Sequence, residues 1–502
     1  MPETRDVVVI GAGFGGLAAA LELARAGARV TLCEALKYPG GCASTFVRGG
    51  TRFESGATLF SGFGPGQLFT RWVEELALPV RFVSLDPIIS LRAPGLSLDV
   101  PGDRALFIDR LCAFEGAPVA RLRRFFEEQR AVADALWALF DDPARLPPFG
   151  LGALAFHASR LPAYLPVLRV VGRPLGAVLQ RHGLLGFAPL RIWLDAVCQI
   201  TVQASAAEAE APFAMGAMDY PFRGTGHVHG GIGVLAEALA EAIARCGGEV
   251  RFADKVRAVE STPKGFRVHA RRGVLEARHV VANLLPQDLA RLASLPSSPA
   301  LEAHAAEVAS GWSATMLYLE VDGARLDGDA PHHFELVGDA SRPFLDGNHV
   351  FVSTSGADEE GRAGAGRRTV TVSTHVSVAA LRGLDPEARR ARIEAVQTAM
   401  RATIDARLPI LREATVREMT ASPRTFERFI GRTEGLVGGI PRKAGLHHYR
   451  RLGLSEPARG LHLVGDSVFP GQSTLATALG GVKVAAAIAG RLRLAARPRL
   501  PG

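Results

Sequence analysis

The first 34 residues constrain the fold most, because a strand, a glycine-rich turn and a helix follow one another without interruption. Residues 6–10 (DVVVI) form a β-branched run that is typical of a buried parallel strand, and residues 11–16 (GAGFGG) come next. The Ala- and Leu-rich residues 17–25 have helical spacing, and residues 28–33 predict a second strand, which Glu34 closes. This order predicts a β-α-β unit that binds a dinucleotide.

Each part of this motif has a physical role in holding a pyrophosphate. Gly11 permits the tight turn, Gly13 lets the backbone approach the phosphates, and Gly16 lets the helix pack close to the strand. Phe14 lies inside the same turn, where the N-terminus of the helix faces the phosphate charge. Glu34 stands at the distance expected for an acid that accepts hydrogen bonds from ribose hydroxyls. A glycine turn without a ligand does not require all of these parts together.

The residues after Glu34 distinguish FAD from NAD. Residues 39–45 (PGGCAST) place Gly41, Cys42 and Ala43 shortly after the acid, and they resemble the second signature of the amine oxidase and phytoene desaturase flavoprotein superfamily. In that superfamily the glycine pair brings backbone amides to the flavin side of the cofactor. The resemblance implies FAD as the cofactor. The sequence departs from many relatives at Cys42, because amine oxidases and many desaturases have arginine there.

The C-terminal region carries the second half of the resemblance. Residues 460–464 predict a strand, residues 465–473 (GDSVFPGQS) follow, and a helix of small residues begins at Thr474. In the superfamily such a segment closes the FAD site, and a strand from the middle of the chain places backbone against adenine. The serine does not belong to a GxSxG nucleophile elbow, because the flanking glycines are missing, which argues against a serine hydrolase. The resemblance therefore implies cofactor contacts from Gly465, Asp466 (to a ribityl hydroxyl), Gly471, Gln472, Ser473 and, for adenine, Val256.

Within the superfamily the sequence most resembles carotenoid isomerases and their bacterial phytoene desaturase-like relatives, in residues 220–231, 431–442 and 465–472. The fold class implied is α/β, with a discontinuous Rossmann-like FAD-binding domain and a substrate domain that has an antiparallel sheet and a helical cap. We expect the FAD-binding domain to comprise residues 1–75, 225–300 and 431–502, and the substrate domain residues 76–224 and 301–430.

The strands and one helix of the substrate domain have their own signals. Residues 313–321, 348–353 and 369–376 alternate or are β-branched, which predicts an antiparallel sheet. Asp385-Pro386 has the form of an N-cap followed by proline in the first helical turn. The helix that follows is predicted to bury one face, formed by Ile393, Val396, Met400 and Ile404.

The resemblance implies flavin chemistry on a long apolar polyene. The predicted reaction is cis/trans isomerisation of a carotenoid with reduced FAD. Desaturation of a phytoene-type substrate by oxidised FAD and saturation of a retinoid or another polyene remain open. A non-enzymatic prenyl-binding protein that resembles GDP dissociation inhibitors is the alternative of another class, and the intact dinucleotide motifs argue against it. Because the cofactor performs the chemistry, the sequence indicates no catalytic side chain and leaves the electron donor or acceptor open.

The middle of the chain is basic and apolar. The net charge is +8, and residues 143–194 contain no acid. Several prolines break this window into short helices of a kind that suits the plane of an anionic membrane, where a polyene would dissolve. A simple cap over the substrate cleft is the alternative. No apolar run reaches the roughly 20 residues of a membrane span, so we predict a cytoplasmic protein peripheral to the inner membrane. The arginines of this window are Arg145, Arg160, Arg169, Arg173, Arg181 and Arg191.

Other candidate sites have weaker signals. No basic run with interleaved aromatic residues is present, so nucleic acid is not a predicted partner. The five cysteines are scattered and form no CxxC, which argues against disulfides and structural zinc and favours a reducing compartment. His227 and His229 have no third ligand nearby and are predicted to lie in a loop, so no metal site is expected. Two pairs of adjacent histidines, at 332–333 and 447–448, are predicted to lie on the surface.

Overall fold

A computed structural model of the chain describes residues 3–147, 149–296, 298–359, 361–450 and 455–494. Residues 495–502, the end of the predicted FAD-binding domain, lie outside this part. The strands within it are β1 (Glu3–Ile10), β2 (Val30–Cys33), β3 (Thr45–Arg48), β4 (Thr51–Glu54), β5 (Phe82–Ser84), β6 (Ile89–Ala93), β7 (Leu96–Val100), β8 (Gly226–Val228), β9 (Glu249–Arg251), β10 (Val256–Thr262), β11 (Gly265–Ala270), β12 (Gly273–Ala282), β13 (Trp312–Asp322), β14 (His332–Val337), β15 (His349–Thr354), β16 (Arg367–Ser377), β17 (Thr415–Ala421) and β18 (Leu461–Leu463).

The helices of the same part alternate with these strands along the chain. They are α1 (Phe14–Arg25), α2 (Leu68–Glu75), α3 (Arg104–Cys112), α4 (Val119–Trp137), α5 (Leu151–Ser159), α6 (Leu161–Val170), α7 (Leu175–His182), α8 (Ala188–Val202), α9 (Ala211–Ala217), α10 (Gly233–Arg245), α11 (Pro286–Leu292), α12 (Pro299–Ala309), α13 (Pro386–Arg407), α14 (Pro409–Ala414), α15 (Pro423–Ile430), α16 (His447–Arg450) and α17 (Thr474–Leu492).

The first of two large sheets contains the N-terminal strand and confirms the Rossmann-like prediction. Its order is β10-β11-β12-β1-β2-β9, and β18 also pairs with β12. The pairs β12–β1, β1–β2, β2–β9 and β12–β18 are parallel, whereas β10–β11 and β11–β12 are antiparallel. Residues 7–10 of β1 are buried, as expected for a strand covered on both faces.

Helices α1 and α17, which are more than 400 residues apart in the sequence, pack against each other. Every residue of α1 is buried, and a Cβ atom added at Gly481 of α17 would lie 2.2 Å from the carbonyl oxygen of Gly15. The two helices therefore approach at glycine, which lets their backbones come close. Among the described helices, α17 is the one with the length and apolarity of a membrane span, but 56% of its apolar window is buried in the chain, as in a core helix.

The second large sheet confirms the predicted antiparallel sheet. Its order is β17-β13-β16-β15-β14-β6-β7, and every pair is antiparallel except β14–β6. Helix α13 covers one face of it. Asp385 caps this helix by accepting hydrogen bonds from the amides of Glu387 and Ala388, and the four predicted core positions are buried, so both predictions for α13 are confirmed.

Helices α3, α4 and α7–α9 form a separate apolar cluster over this sheet, in which Phe107, Phe125 and Trp193 are buried. Helices α5 and α6 lie at its edge. No residue of α5 is buried, and Val170 is the one buried residue of α6. The prolines do not all act as breaks, because Pro166 lies inside α6.

Candidate functional site

The glycine turn between β1 and α1 is closed by Asn283, which follows β12. The backbone amide of Asn283 donates a hydrogen bond to the carbonyl oxygen of Ile10 at 2.8 Å. A Cβ atom at Gly13 would lie 2.3 Å from Asn283 Nδ2, and one at Gly16 would lie 2.0 Å from the carbonyl oxygen of Gly11. A side chain at Gly16 is therefore excluded by the backbone, and one at Gly13 would displace the side-chain amide of Asn283. Nothing in the sequence marked Asn283 as a site residue beyond its place directly after the strand β12.

Glu34 holds this turn from the neighbouring strand. Its carboxylate accepts hydrogen bonds from the amides of Ala12 at 2.7 Å and Leu36 at 2.8 Å. Burial raises the pKa of Glu34, and these amides oppose the rise. A carboxylate has about four lone-pair sites, so acceptor capacity remains for ribose hydroxyls. The amide of Asp254 donates to the Glu34 carbonyl at 2.8 Å, which places Val256, the first residue of β10, on the same side of the site.

The second glycine pair lies directly on the first turn. The Gly40 amide donates to the carbonyl oxygen of Ala12 at 2.8 Å, and a Cβ atom at Gly41 would lie 3.5 Å from the Cα of Gly13. Cys42 follows, and burial raises the pKa of its thiol, so the side chain is neutral. Ala43 is buried beside it. The structure thus brings together the two motifs that the sequence placed more than 20 residues apart.

The segment after β18 contacts the same asparagine. A Cβ atom at Gly465 would lie 3.0 Å from Asn283 Oδ1. The Asp466 carboxylate accepts hydrogen bonds from Arg432 Nη2 at 2.9 and 3.0 Å. Burial acts to lower the pKa of Arg432, but the charge and hydrogen bonds of Asp466, together with the charge of Asp288 and other smaller contributions, outweigh it and raise that pKa. Asp466 therefore lies at the site in an ion pair with Arg432.

Gly471, Gln472 and Ser473 form the turn before α17. Gly471 has φ +111°, and Ser473 has φ +109°, a region that non-glycine residues rarely adopt and that concentrates at functional sites. Ser473 Oγ accepts a hydrogen bond from the amide of Ala476 at 3.0 Å and so caps the helix. Gln472 Nε2 donates to the carbonyl oxygen of Ile200 at 2.6 Å, which ties the turn to α8.

The residues of the site fit a dinucleotide with its flavin end towards α17. Buried polar atoms are ordinarily hydrogen-bonded, so buried atoms without partners indicate a missing ligand or water. Four such atoms lie in residues 58 and 467–474: Thr58 Oγ1, Ser467 Oγ, Gln472 Oε1 and Thr474 Oγ1. The pyrophosphate would lie at the glycine turn of α1, where the positive end of the helix faces it.

The histidine predictions were wrong in three places. His227 lies in β8 and not in a loop, and its buried Nε2 atom bonds Glu359 Oε1 at 2.8 Å. His333 is fully buried, because alternation along β14 turns it to the inner face while His332 takes the other. His448 is buried as well.

Comparisons with known proteins identify similar chains and folds. A family model described as an NAD(P)-binding Rossmann-like domain matches residues 9–76. Prolycopene isomerase 2 (chloroplastic) of an Oncidium hybrid cultivar is 27% identical over 98% of this chain and 84% of its own length. The chloroplastic prolycopene isomerase of Arabidopsis thaliana is 26% identical over 99% of this chain and 84% of its own length. The neurosporene-forming phytoene desaturase of Rhodobacter capsulatus is 28% identical over 50% of this chain and 46% of its own length.

Solved structures show the same fold. An oxidoreductase from Methanosarcina mazei has a TM-score of 0.65 at 18% identity and covers 95% of this chain and 99% of its own. Wild-type putrescine oxidase bound to putrescine has a TM-score of 0.63 at 18% identity and covers 97% of this chain and 99% of its own. With the dinucleotide site and the similarity to prolycopene isomerases over 98–99% of its length, this chain is an FAD-dependent flavoprotein that is similar to carotenoid isomerases and phytoene desaturases.

Proposed function

We propose that the chain isomerises double bonds of a carotenoid-like polyene and uses reduced FAD to do so. The observation that carries this proposal is the extent of the similarity. The prolycopene isomerases align with 98–99% of the chain, whereas the first phytoene desaturase aligns with 50% of it. Desaturation of the same class of substrate is the second candidate, and it is supported by that partial similarity.

We further propose that the regions built on the two sheets bind different molecules. The first sheet and its helices, within residues 1–75, 225–300 and 431–502, would hold FAD, and residues 76–224 and 301–430 would hold the polyene. The cofactor contacts that we propose are those of Gly11, Gly13, Phe14, Gly16, Glu34, Gly41, Cys42, Ala43, Val256, Gly465, Asp466, Gly471, Gln472 and Ser473.

The contribution of the chain is positioning and the exclusion of water. When bound, reduced FAD would supply the electron density needed to isomerise a polyene double bond. An aromatic cluster of Phe46, Phe53 and Tyr318, with ring centroids 5.2–5.9 Å apart, packs strands β3 and β4 against the second sheet. Tyr318 donates to the carbonyl oxygen of Ser55 at 2.7 Å, and burial raises its pKa, so the hydroxyl stays protonated and fixes this segment.

The test uses purified protein, FAD and a poly-cis carotene under anaerobic conditions. With dithionite present, we expect the absorption spectrum to shift and the chromatographic retention to become that of a more trans isomer. A parallel reaction contains oxidised FAD and a quinone acceptor, and heat-inactivated protein is the control for spontaneous isomerisation. Conversion that occurs with the acceptor and not with dithionite would contradict the proposal and favour the desaturase.

We also propose that helices α5 and α6 dock on an anionic membrane from which the polyene is drawn. Their exposed apolar side chains would insert among the lipids while Arg160, Arg169 and Arg173, which are also exposed, meet the headgroups. Each arginine contributes about 1 kcal/mol near such a surface. The window has no acid that would oppose this charge. The exposed apolar residues of this helical surface are Phe149, Leu151, Leu154, Leu161, Leu165 and Leu168.

We expect the double substitution Leu165→Asn with Leu168→Asn to weaken binding to phosphatidylglycerol vesicles at least about tenfold, because each leucine removed from lipid costs about 1 kcal/mol or more. Co-sedimentation measures the effect. Val416→Asn is the matched control, since Val416 is as exposed as these leucines but lies in β17 of the second sheet, outside this surface. Equal vesicle binding by the wild type and the double variant would contradict membrane docking through α5 and α6.

A further inference from the structure

Among the described residues, Arg442 is a buried cation with no carboxylate within ion-pair distance. Its side chain lies beside the turn before α17, since a Cβ atom at Gly471 would stand 3.1 Å from Arg442 Nη2. The residue is 8% exposed. In the part of the chain that the structure describes, its guanidinium donates no hydrogen bond and lies within ion-pair distance of no carboxylate; its contact is with the ring of Phe213, 4.8 Å from the centroid.

This arrangement is costly for the protein. Burial lowers the pKa of Arg442 to about 10 against the opposing charges of Glu307 and Glu210, so the side chain is still a cation at neutral pH. Glu210 does not pair with it, because the carboxylate of Glu210 is taken by the amides of Gly172 and Phe213 and by the hydroxyl of Tyr449. A buried charge is normally paired, and one without a partner is destabilising. Arg432, a half-buried arginine of the same site, does have its partner in Asp466.

Two further features point to a ligand at this place. Gln472 Oε1 and Thr474 Oγ1 lie in the same turn and have no hydrogen-bond partner. Helix α17 begins directly after this turn, so the positive end of its dipole lies here. A cation, a helix N-terminus and two unsatisfied polar atoms together form a site for a group that is negatively charged and accepts hydrogen bonds.

We propose that Arg442 is the charge partner of the reduced flavin. The isoalloxazine ring is neutral when oxidised, and its pyrimidine carries a negative charge after two-electron reduction with one proton. Charge near this part of the ring is one of the means by which a protein tunes the cofactor. The inference rests on the proposed function, in which reduced FAD is the working form. Arg442 and the N-terminus of α17 therefore bind reduced FAD more tightly than oxidised FAD.

The test is the midpoint potential of bound FAD, measured by anaerobic titration against a reference dye without any polyene. We expect Arg442→Met to weaken the binding of reduced FAD by about tenfold to a hundredfold and to leave oxidised FAD nearly unaffected, which lowers the potential by about 30–60 mV. Arg442→Lys should keep most of the wild-type potential. Lys443→Met is the matched control, because Lys443 is the next residue, is exposed and pairs with Glu208 at the surface.

A wild-type potential in an Arg442→Met protein that binds one FAD per chain would overturn the inference. If that variant does not bind FAD, the pH dependence of the wild type decides. In mildly acidic solution, where free reduced flavin takes up a second proton, a site built for the anion gives a slope of about 30 mV per pH unit, and a slope of about 60 mV contradicts it. Neither result depends on isomerisation, so the inference and the proposed function fail separately.

Discussion

Replacement of Gly16 by alanine is expected to abolish FAD binding. The new Cβ atom would lie 2.0 Å from the carbonyl oxygen of Gly11 and 3.3 Å from the Cβ of Asn283. Both neighbours are fixed, because Gly11 begins the turn and the backbone amide of Asn283 is hydrogen-bonded to β1. Helix α1 must therefore move away from the strand, and its N-terminus no longer meets the pyrophosphate. Such overpacking costs about 1–3 kcal/mol of stability in addition to the lost cofactor.

The ratio of flavin absorbance to protein absorbance measures this loss, and thermal unfolding measures the stability. Gly490→Ala is the matched control, because Gly490 is also a helical glycine and nothing lies within 4 Å of an added Cβ atom. We expect that control to bind FAD normally and to gain up to about 1 kcal/mol from helix propensity. If the Gly16→Ala protein binds one FAD per chain and unfolds at the wild-type temperature, the pyrophosphate does not bind at the N-terminus of α1.

Replacement of Glu359 by alanine is expected to produce the largest loss of stability. The carboxylate of this buried residue accepts hydrogen bonds from His227 at 2.8 Å and from the amides of Gly230 and Gly356. Arg362 lies 3.5 Å from it. Removal leaves the arginine and the histidine buried without this partner, and breaking such a buried pair costs about 3–5 kcal/mol. The network connects the second sheet to the start of α10, so the change separates the proposed substrate and cofactor regions.

Chemical denaturation of both proteins measures this cost. Asp358→Ala is the matched control, because Asp358 is the adjacent acid but its pairs with Arg81 and His229 are exposed, and exposed pairs contribute little. Equal denaturation midpoints for Glu359→Ala and the wild type would contradict a structural role for the buried network.

The same pair of proteins should respond differently to pH. Burial acts to raise the pKa of Glu359, but the hydrogen bond and charge of His227 and the charge of Arg362 outweigh it and lower the pKa from 4.5 to about 2. The folded state therefore favours the ionised form. Its contribution is complete above the unfolded pKa and is lost as the pH falls from about 4.5 towards 2. The difference in unfolding free energy between wild type and Glu359→Ala should shrink over this range and stay constant above it.

Local signals in the sequence were sufficient for the fold. The glycine turn, the apolar strand before it and the alternating segments 313–321 and 369–376 each obey a short-range rule, and the structure has a strand or turn at each of them. The burial of His333 and His227 was missed for the opposite reason. Whether a strand residue faces the core depends on the strands that pair with it, and those lie far away in sequence.

The site divides in the same way. Motifs within a few residues of one another, such as 11–16 and 40–43, were identifiable because their glycines have a fixed purpose. Asn283, Arg432 and Arg442 were not, because each acts on a motif that is distant in the chain. Arg432 meets an acid 34 residues away, and Arg442 lies beside the glycine at 471. The one available signal was that these arginines lie in the glycine-rich stretch 431–442, which the resemblance had already selected.

The most direct test of the proposed function is the mass of the product formed from a poly-cis carotene by the anaerobic protein with dithionite-reduced FAD. We expect a product of unchanged mass whose absorption spectrum has shifted, because isomerisation rearranges bonds without net oxidation. A product that lacks pairs of hydrogen atoms, formed when oxidised FAD and an acceptor replace dithionite, would contradict the isomerase and identify a desaturase.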